Sequence, residues 1–310
     1  MEELIKYFGH VTPEDIAKTG EKALTLALLK QQQPVTGIPI PDGFIITAAN
    51  YSRFINHNKL ADKLDALLQT IDTVTYENLP DVAAQCRRLV CNGKFPREAE
   101  AALTKAYATY FPNDQSVAVR NSPTGTNLPT GIADSYLNIR GVLALTYAVK
   151  CCFASLFTDR AIKYYVTQNI KFSDVSMAVM VQKMVRSDIG ISGTLKYDGK
   201  NSVIKGTWGL GEILWTDEAQ PDVLIYNDQK LLQKVKGKKG HMSTYVEFAA
   251  GTNSTQLKIT PAEIRDEFSV PEVEAEILLD WLPKVESTTG IEWAKDGLTN
   301  TYHLINIYKQ

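Results

Sequence analysis

One arginine sits where chemistry is easiest to place. In "SVAVRNSPTGTNLPTGIADSYLNIRG" (Ser116–Gly141), Val117 and Val119 flank Ala118 as in a buried strand, and Arg120 stands at the exit. Gly, Pro, Ser, Thr and Asn follow, almost without charge, until Tyr136-Leu137-Asn138-Ile139 resumes a strand-like pattern. A guanidinium at a strand mouth beside a hydroxyl-rich loop suits a phosphate. An arginine paired with a surface carboxylate beside an ordinary loop gives the same pattern, and both readings stay open here.

Other chemistry is sparse. "GLGE" (Gly209–Glu212) lacks the strand-loop-helix setting of a dinucleotide fingerprint, and no G-x-x-x-x-G-K-[ST] occurs. Cys86, Cys91, Cys151 and Cys152 have no metal-ligand spacing, and His10, His57, His241 and His303 are scattered, which argues against structural zinc and for reduced, buried thiols. No Ser/His/Asp grouping or spaced carboxylate pair stands out. A net charge of −2 gives no argument for nucleic acid or an anionic membrane surface, and the basic run "KVKGKKG" (Lys234–Gly240) is expected to be a solvated loop. No stretch approaches the ~18 apolar residues of a membrane span, and the charged start carries no signal-like apolar core, so a cytoplasmic location is expected.

The elements that must position such a site are mixed. "TPEDIAKTGEKALTLALL" opens with a cap-like Thr12-Pro13-Glu14-Asp15 and continues at helical spacing. "GFII" after a Pro-Asp-Gly turn predicts a strand, and helices follow through residue 111. "VLALTYAVKCCFASLFTDRAIKYYVTQN" is expected to be one long amphipathic helical segment, and "VSMAVMVQKMV" a central strand. "SGTLKYDGKNSVIKGTW" suggests a hairpin turning at Asp198-Gly199, "PDVLIYND" a strand, residues 260–288 helices, and "GIEWAKDG" and "TYHLINIY" two closing strands. The chain's 310 residues are large for one core, so an α+β fold of two lobes is expected, residues 1–187 and 188–310.

Taken in order, "TGEKALTLALL", "GIPIPDGFIIT", "SVAVRNSPTGTNLP", "YLNIRG", "CCFASLFTDRAIKYY", "VQKMVRSDIGISGT", "GLGE" and "IEWAKDG" resemble the amino-terminal ATP-binding domain of phosphoenolpyruvate synthase, shared with pyruvate phosphate dikinase and rifampin phosphotransferase. The resemblance implies an ATP-grasp-like fold, two lobes with the nucleotide cleft between them, and ATP and Mg²⁺ as cofactors. It assigns Lys22 to the nucleotide phosphates and Arg120 to the transferred phosphoryl. Gln182, Lys183, Met184 and Val185 match the inter-lobe strand whose backbone would read adenine. Glu212 would contact ribose or phosphate. Glu292 would ligate Mg²⁺, with Asn306 able to offer a second oxygen. The loop after Arg120 would cover the phosphates.

Departures accompany it. "TGIADSY" is about four residues shorter than in relatives. Gly290 stands where the family has Asp, and Asn306-Ile307-Tyr308-Lys309 where it has Gln-x-Arg-Pro. Synthases also need a phosphorylated-histidine domain and a pyruvate domain, which this chain does not show. Three expectations result: an ATP-dependent phosphotransferase acting with a separate histidine-domain partner or a small-molecule acceptor, a nucleotide-binding or regulatory module without turnover, or a carboxylate-activating ligase.

Overall fold

The computed structural model describes residues 3–125, 135–246, 255–285 and 289–309. In chain order the helices are α1 (Ile16–Gln31), α2 (Gln33–Thr36), α3 (Ala48–His57), α4 (Ala61–Leu68), α5 (Leu79–Cys91), α6 (Arg97–Tyr110), α7 (Val142–Ala154), α8 (Asp159–Thr167), α9 (Ala262–Arg265) and α10 (Glu272–Leu279). The strands are β1 (Ile5–Tyr7), β2 (Gly43–Ile46), β3 (Val117–Thr124), β4 (Tyr136–Ile139), β5 (Ser176–Lys183), β6 (Ile191–Tyr197), β7 (Ser202–Trp208), β8 (Asp222–Asn227), β9 (Lys230–Val235), β10 (His241–Tyr245), β11 (Thr255–Ile259), β12 (Thr289–Lys295) and β13 (Tyr302–Lys309).

The chain forms two units, and the division falls between Met184 and Val185. Residues 29–41, inside the first lobe of the sequence reading, belong to the second unit. The N–H of Leu304 on β13 donates to Pro39 O at 2.9 Å, which ties that segment to the second unit's sheet.

The first unit holds a five-stranded antiparallel sheet in the order β1-β2-β5-β3-β4. Continuous β-branched and apolar character puts β5 at its centre, buried from Met177 to Gln182. Val117, Val119, Val179 and Val181 pack in one core with α3 and α5–α8, where Phe54, Phe95 and Phe153 meet at centroid distances of 5.1–5.9 Å. The long segment from Val142 is not one helix. Ser155 Oγ donates to Cys152 O, Thr158 turns extended and caps Ala161 N–H, and the pair of helices bends by 40°. Hydroxyls that compete for backbone groups end α7 and restart the chain as α8. Among the described residues no single helix is long and apolar enough to cross a membrane.

The second unit holds a six-stranded antiparallel sheet, β13-β12-β6-β7-β8-β9, and the pair β10-β11. The hairpin at Asp198-Gly199 is present, with Tyr197 opposite Ser202. One residue row crosses five strands as Ile307, Ile291, Leu195, Ile204 and Leu224, all buried. Side chains alternate along strands, so the neighbouring row faces the other way.

The basic run is a solvated loop only in part: Lys236 and Lys238 are exposed outside any strand. Lys234 belongs to β9, an exposed edge where lysines discourage further pairing. Lys239 is fully buried and ion-paired to Asp222, itself fully buried. Asp222 also accepts from Gly237 N–H at 2.8 Å, Ser269 N–H at 2.7 Å and Ser269 Oγ at 2.8 Å.

Candidate functional site

In the first unit, a capping box between Thr12 and Asp15 starts the turn that leads into α1. The helix then breaks at Gly20, whose φ of +71° departs from the continuous helix expected there. A Cβ at Gly20 would lie 2.5 Å from Ser122 O and Ser122 Oγ, so only glycine lets this turn rest on β3. Ser122 Oγ accepts from Ala23 N–H at 3.0 Å and anchors the resumed helix. Lys22 is thus carried one residue from that anchor, and Arg120 lies two residues before Ser122 on β3. The backbone brings Lys22 and Arg120 to one locality. Arg120 is buried and pairs in register with Met180 on β5. Most of the loop expected to cover the phosphates, residues 126–134, lies outside the described residues.

The expected adenine-reading stretch closes the central strand β5 with Gln182 and Lys183 and runs on through Met184 and Val185. Gln182 is buried between Ala118 and Gly43, and Lys183 is exposed. Lys183 N–H donates to Asp42 O at 2.9 Å and Met184 N–H to Ser116 O at 3.0 Å. Val185, in the second unit, accepts at its carbonyl from Ser187 N–H at 2.8 Å and from the Tyr245 hydroxyl at 3.4 Å. Arg186 binds Asp188 through Nε at 2.8 Å and Nη2 at 3.0 Å, with its guanidinium 5.3 Å from the Tyr245 ring centre. Its N–H donates to Asp296, which turns β12 into β13. Burial alone would raise the Asp296 carboxyl, but the N–H groups of Thr299, Leu298 and Arg186 bring it below its ordinary value.

That turn places Glu292 directly opposite Asn306, with a bulge immediately after Glu292. On the face opposite the Ile291 row, a second row of the six-stranded sheet runs Asn306, Glu292, Thr194, Lys205. Asn306 is buried, and its Oδ1 has no hydrogen-bond partner among the described residues. A buried amide oxygen left without a donor beside a carboxylate is the arrangement a hard cation would complete. Thr194 is buried and Lys205 is exposed; neither stood out in the sequence. The hairpin register alone reveals them, since a slip of one residue would turn both to the opposite face.

Gly290 and Tyr308 also face each other. A Cβ at 290 would run into the Tyr308 ring, so the two departures form one packing unit. Burial and the Glu292 charge raise the Tyr308 phenol above its ordinary value, with the Thr194 hydroxyl opposing, so it stays protonated at neutral pH. Trp215 meets the Tyr308 ring edge-on at 5.9 Å. The same short turn, Gly211–Trp215, carries Glu212, which accepts from Ser243 Oγ.

Among the described residues no three His, Cys, Asp or Glu side chains gather as a metal cage. Two protein oxygens suit an ion that arrives with phosphate oxygens and water, as Mg²⁺ does.

The family described as "Pyruvate phosphate dikinase, AMP/ATP-binding domain" matches residues 16–309. Over 97% of its length the chain is 32% identical to phosphoenolpyruvate synthase of Aquifex aeolicus and 30% identical to that of Escherichia coli, covering 39% and 41% of those proteins. A probable phosphoenolpyruvate synthase of Staphylothermus marinus is 35% identical over 79% of the chain. The chain therefore spans about two fifths of the length of the first two relatives.

Proposed function

The chain belongs to the pyruvate phosphate dikinase AMP/ATP-binding domain family, whose fold is ATP-grasp-like, and from that premise we propose that it binds ATP with Mg²⁺ and passes a phosphoryl group to a separate acceptor. The observation that carries the proposal is the opposed pair Glu292 and Asn306, one carboxylate and one buried, undonated amide oxygen. These residues would hold Mg²⁺, and the ion would supply positive charge to the phosphate oxygens.

The chain's own groups do the rest. Lys22 offers an ammonium point charge suited to the phosphates of bound nucleotide, and Arg120 offers a planar fork to a phosphoryl whose charge is redistributed during transfer. Lys205, on the Glu292 row, adds a cation to that face. Adenine recognition by the 182–185 stretch falls to atoms other than the Lys183 and Met184 N–H groups, which already donate within the protein. The acceptor is a histidine on a separate protein or a small molecule.

A second reading, nucleotide binding without turnover, is favoured by Gly290 and Tyr308. An acidic side chain at 290 would need the space of the Tyr308 ring. ATP labelled at the β and γ phosphates, incubated with Mg²⁺ and the protein, separates the readings. It is followed with and without a histidine-domain protein from a synthase relative, and with small carboxylate acceptors. AMP and phosphate, with label on the histidine protein, support dikinase-like transfer; ADP alone indicates a kinase or a carboxylate-activating ligase. Binding without any product supports the second reading, and absence of ATP binding refutes both.

A further inference from the structure

All four cysteines lie in the first unit, and they divide into two kinds. Cys86 and Cys152 are fully buried, and burial pushes the Cys86 thiol up to about 11. Cys91 and Cys151 are only half-buried. Cys91 ends α5 and Cys151 lies on α7; the two helices pack in one core, and Lys150, the residue before Cys151, reaches Cys91 O, which brings the two thiols to one place. They are distant in sequence and meet only because the two helices pack together.

The surroundings favour a nucleophile at Cys91. Lys150 donates to Cys91 O at 2.8 Å and to Gly93 O at 3.3 Å, which holds an ammonium beside the thiol. Arg87 lies one turn earlier on α5. The Cys151 thiol, as donor, lowers Cys91; burial opposes, and Lys150 and Arg87 add to the lowering. Cys151 is held in its thiol form by the same bond and by burial.

We propose that Cys91 and Cys151 are a peroxide-sensitive dithiol that closes to an intramolecular disulfide, with Cys91 the attacking and Cys151 the resolving sulfur. The Cys91 thiolate attacks one oxygen of a hydroperoxide, forming an S–O bond as the O–O bond breaks. With H₂O₂ and one proton, the products are Cys91 sulfenic acid and water. The Cys151 thiol then attacks that sulfur, forming the S–S bond and expelling the hydroxyl with the thiol proton as a second water. Two thiols lose two electrons, and the peroxide is reduced to water. The bond staples the end of α5 to α7. Cys152, the next residue, lies with its sulfur 3.9 Å from Val119 O on β3, adjacent to Arg120, so the staple forms on the helix backing that strand.

The test treats the full chain, reduced and freed of reductant, with equimolar and tenfold H₂O₂, then counts thiols after denaturation and maps peptides by mass. The count is expected to fall from four to two. One peptide pair joining Cys91 to Cys151 should appear, lighter than the reduced pair by about 2 Da for two hydrogens lost, and dithiothreitol should reverse it. Cys151→Ser should leave a Cys91 sulfenic acid that dimedone traps, and Cys91→Ser should leave Cys151 unmodified at equimolar peroxide. Four free thiols after tenfold peroxide would overturn the proposal, as would a bridge between two chains or over-oxidation of Cys91 with no bridge. The peptide map of the unaltered protein decides even if a variant fails to fold.

Discussion

Lys239→Met removes one charge from a site without solvent while keeping most of the side-chain length. Asp222 and Lys239 are both fully buried, and the Asp222 carboxylate also receives Gly237 N–H, Ser269 N–H and Ser269 Oγ. Those donors persist in the variant, so the carboxylate keeps partial compensation and loses its counter-charge. Breaking a buried pair from one side costs about 3–5 kcal/mol, and the surviving hydrogen bonds place this case near 3. With a urea slope of ~2 kcal/mol per M, the midpoint should fall by about 1.5 M. All four tryptophans lie in the second unit with the pair, so their fluorescence follows the unfolding of that unit. Lys236→Met is the control, because that exposed lysine makes only surface contacts among the described residues, with Asp266 O and the Phe268 ring, and should shift stability by less than ~0.5 kcal/mol. Asp222→Asn should cost a similar amount to Lys239→Met, and the double variant much less than the sum. If Lys239→Met unfolds with the midpoint of the control, the lysine run is a solvated loop after all and the reasoning fails.

Gly20→Ala should destabilise the first unit by about 1–3 kcal/mol, since a Cβ there meets Ser122 backbone and a positive φ, and should weaken ATP binding with Lys22 and Arg120 intact. Thermal denaturation and ATP calorimetry check both effects. Asp15 is held well below its ordinary value: burial opposes, while Lys6, the Thr12 N–H and Lys18 lower it. Its contribution is complete above the unfolded-state pKa, about 3.9, and is lost as pH falls toward the folded value, so Asp15→Asn should flatten the acid limb of stability against pH by up to one proton. Gly290→Ala should destabilise the unaltered sheet, and Tyr308→Ala should relieve that cost, a coupling that a double-mutant cycle measures in urea.

Local signals in the chain translated well into elements. The Thr12/Asp15 cap, the continuous apolar β5 and the Asp198-Gly199 hairpin depend on neighbours in sequence, and each is present. Of the candidate site, Arg120 stood out from its own strand and loop, while Lys22, Glu292 and Asn306 were singled out only by the motif likeness. Periodicity does not tell which residues of β12 and β13 oppose each other, and that register is what joins Glu292 to Asn306 and Gly290 to Tyr308. Thr194 and Lys205 were missed for the same reason. Lys239, between β9 and β10, looked solvated because its partner, Asp222, lies on β8, distant in sequence, and gives a lysine run no mark of burial. The break at Gly20 is imposed by Ser122, a hundred positions away, against good helical spacing on both sides.

Titration calorimetry of Mg·ATP against the unaltered protein, Lys22→Met and Asn306→Leu tests most directly whether Lys22 acts on the phosphates and Asn306 on Mg²⁺ when nucleotide binds. The account expects one site per chain, weakened about tenfold or more by either variant, with the Asn306→Leu loss shrinking when Mg²⁺ is replaced by EDTA. A hundredfold excess of ATP over Kd should also stabilise the unaltered protein by about 2.7 kcal/mol. Unchanged affinity in both folded variants, or a loss at Asn306 that is the same with and without Mg²⁺, would contradict it.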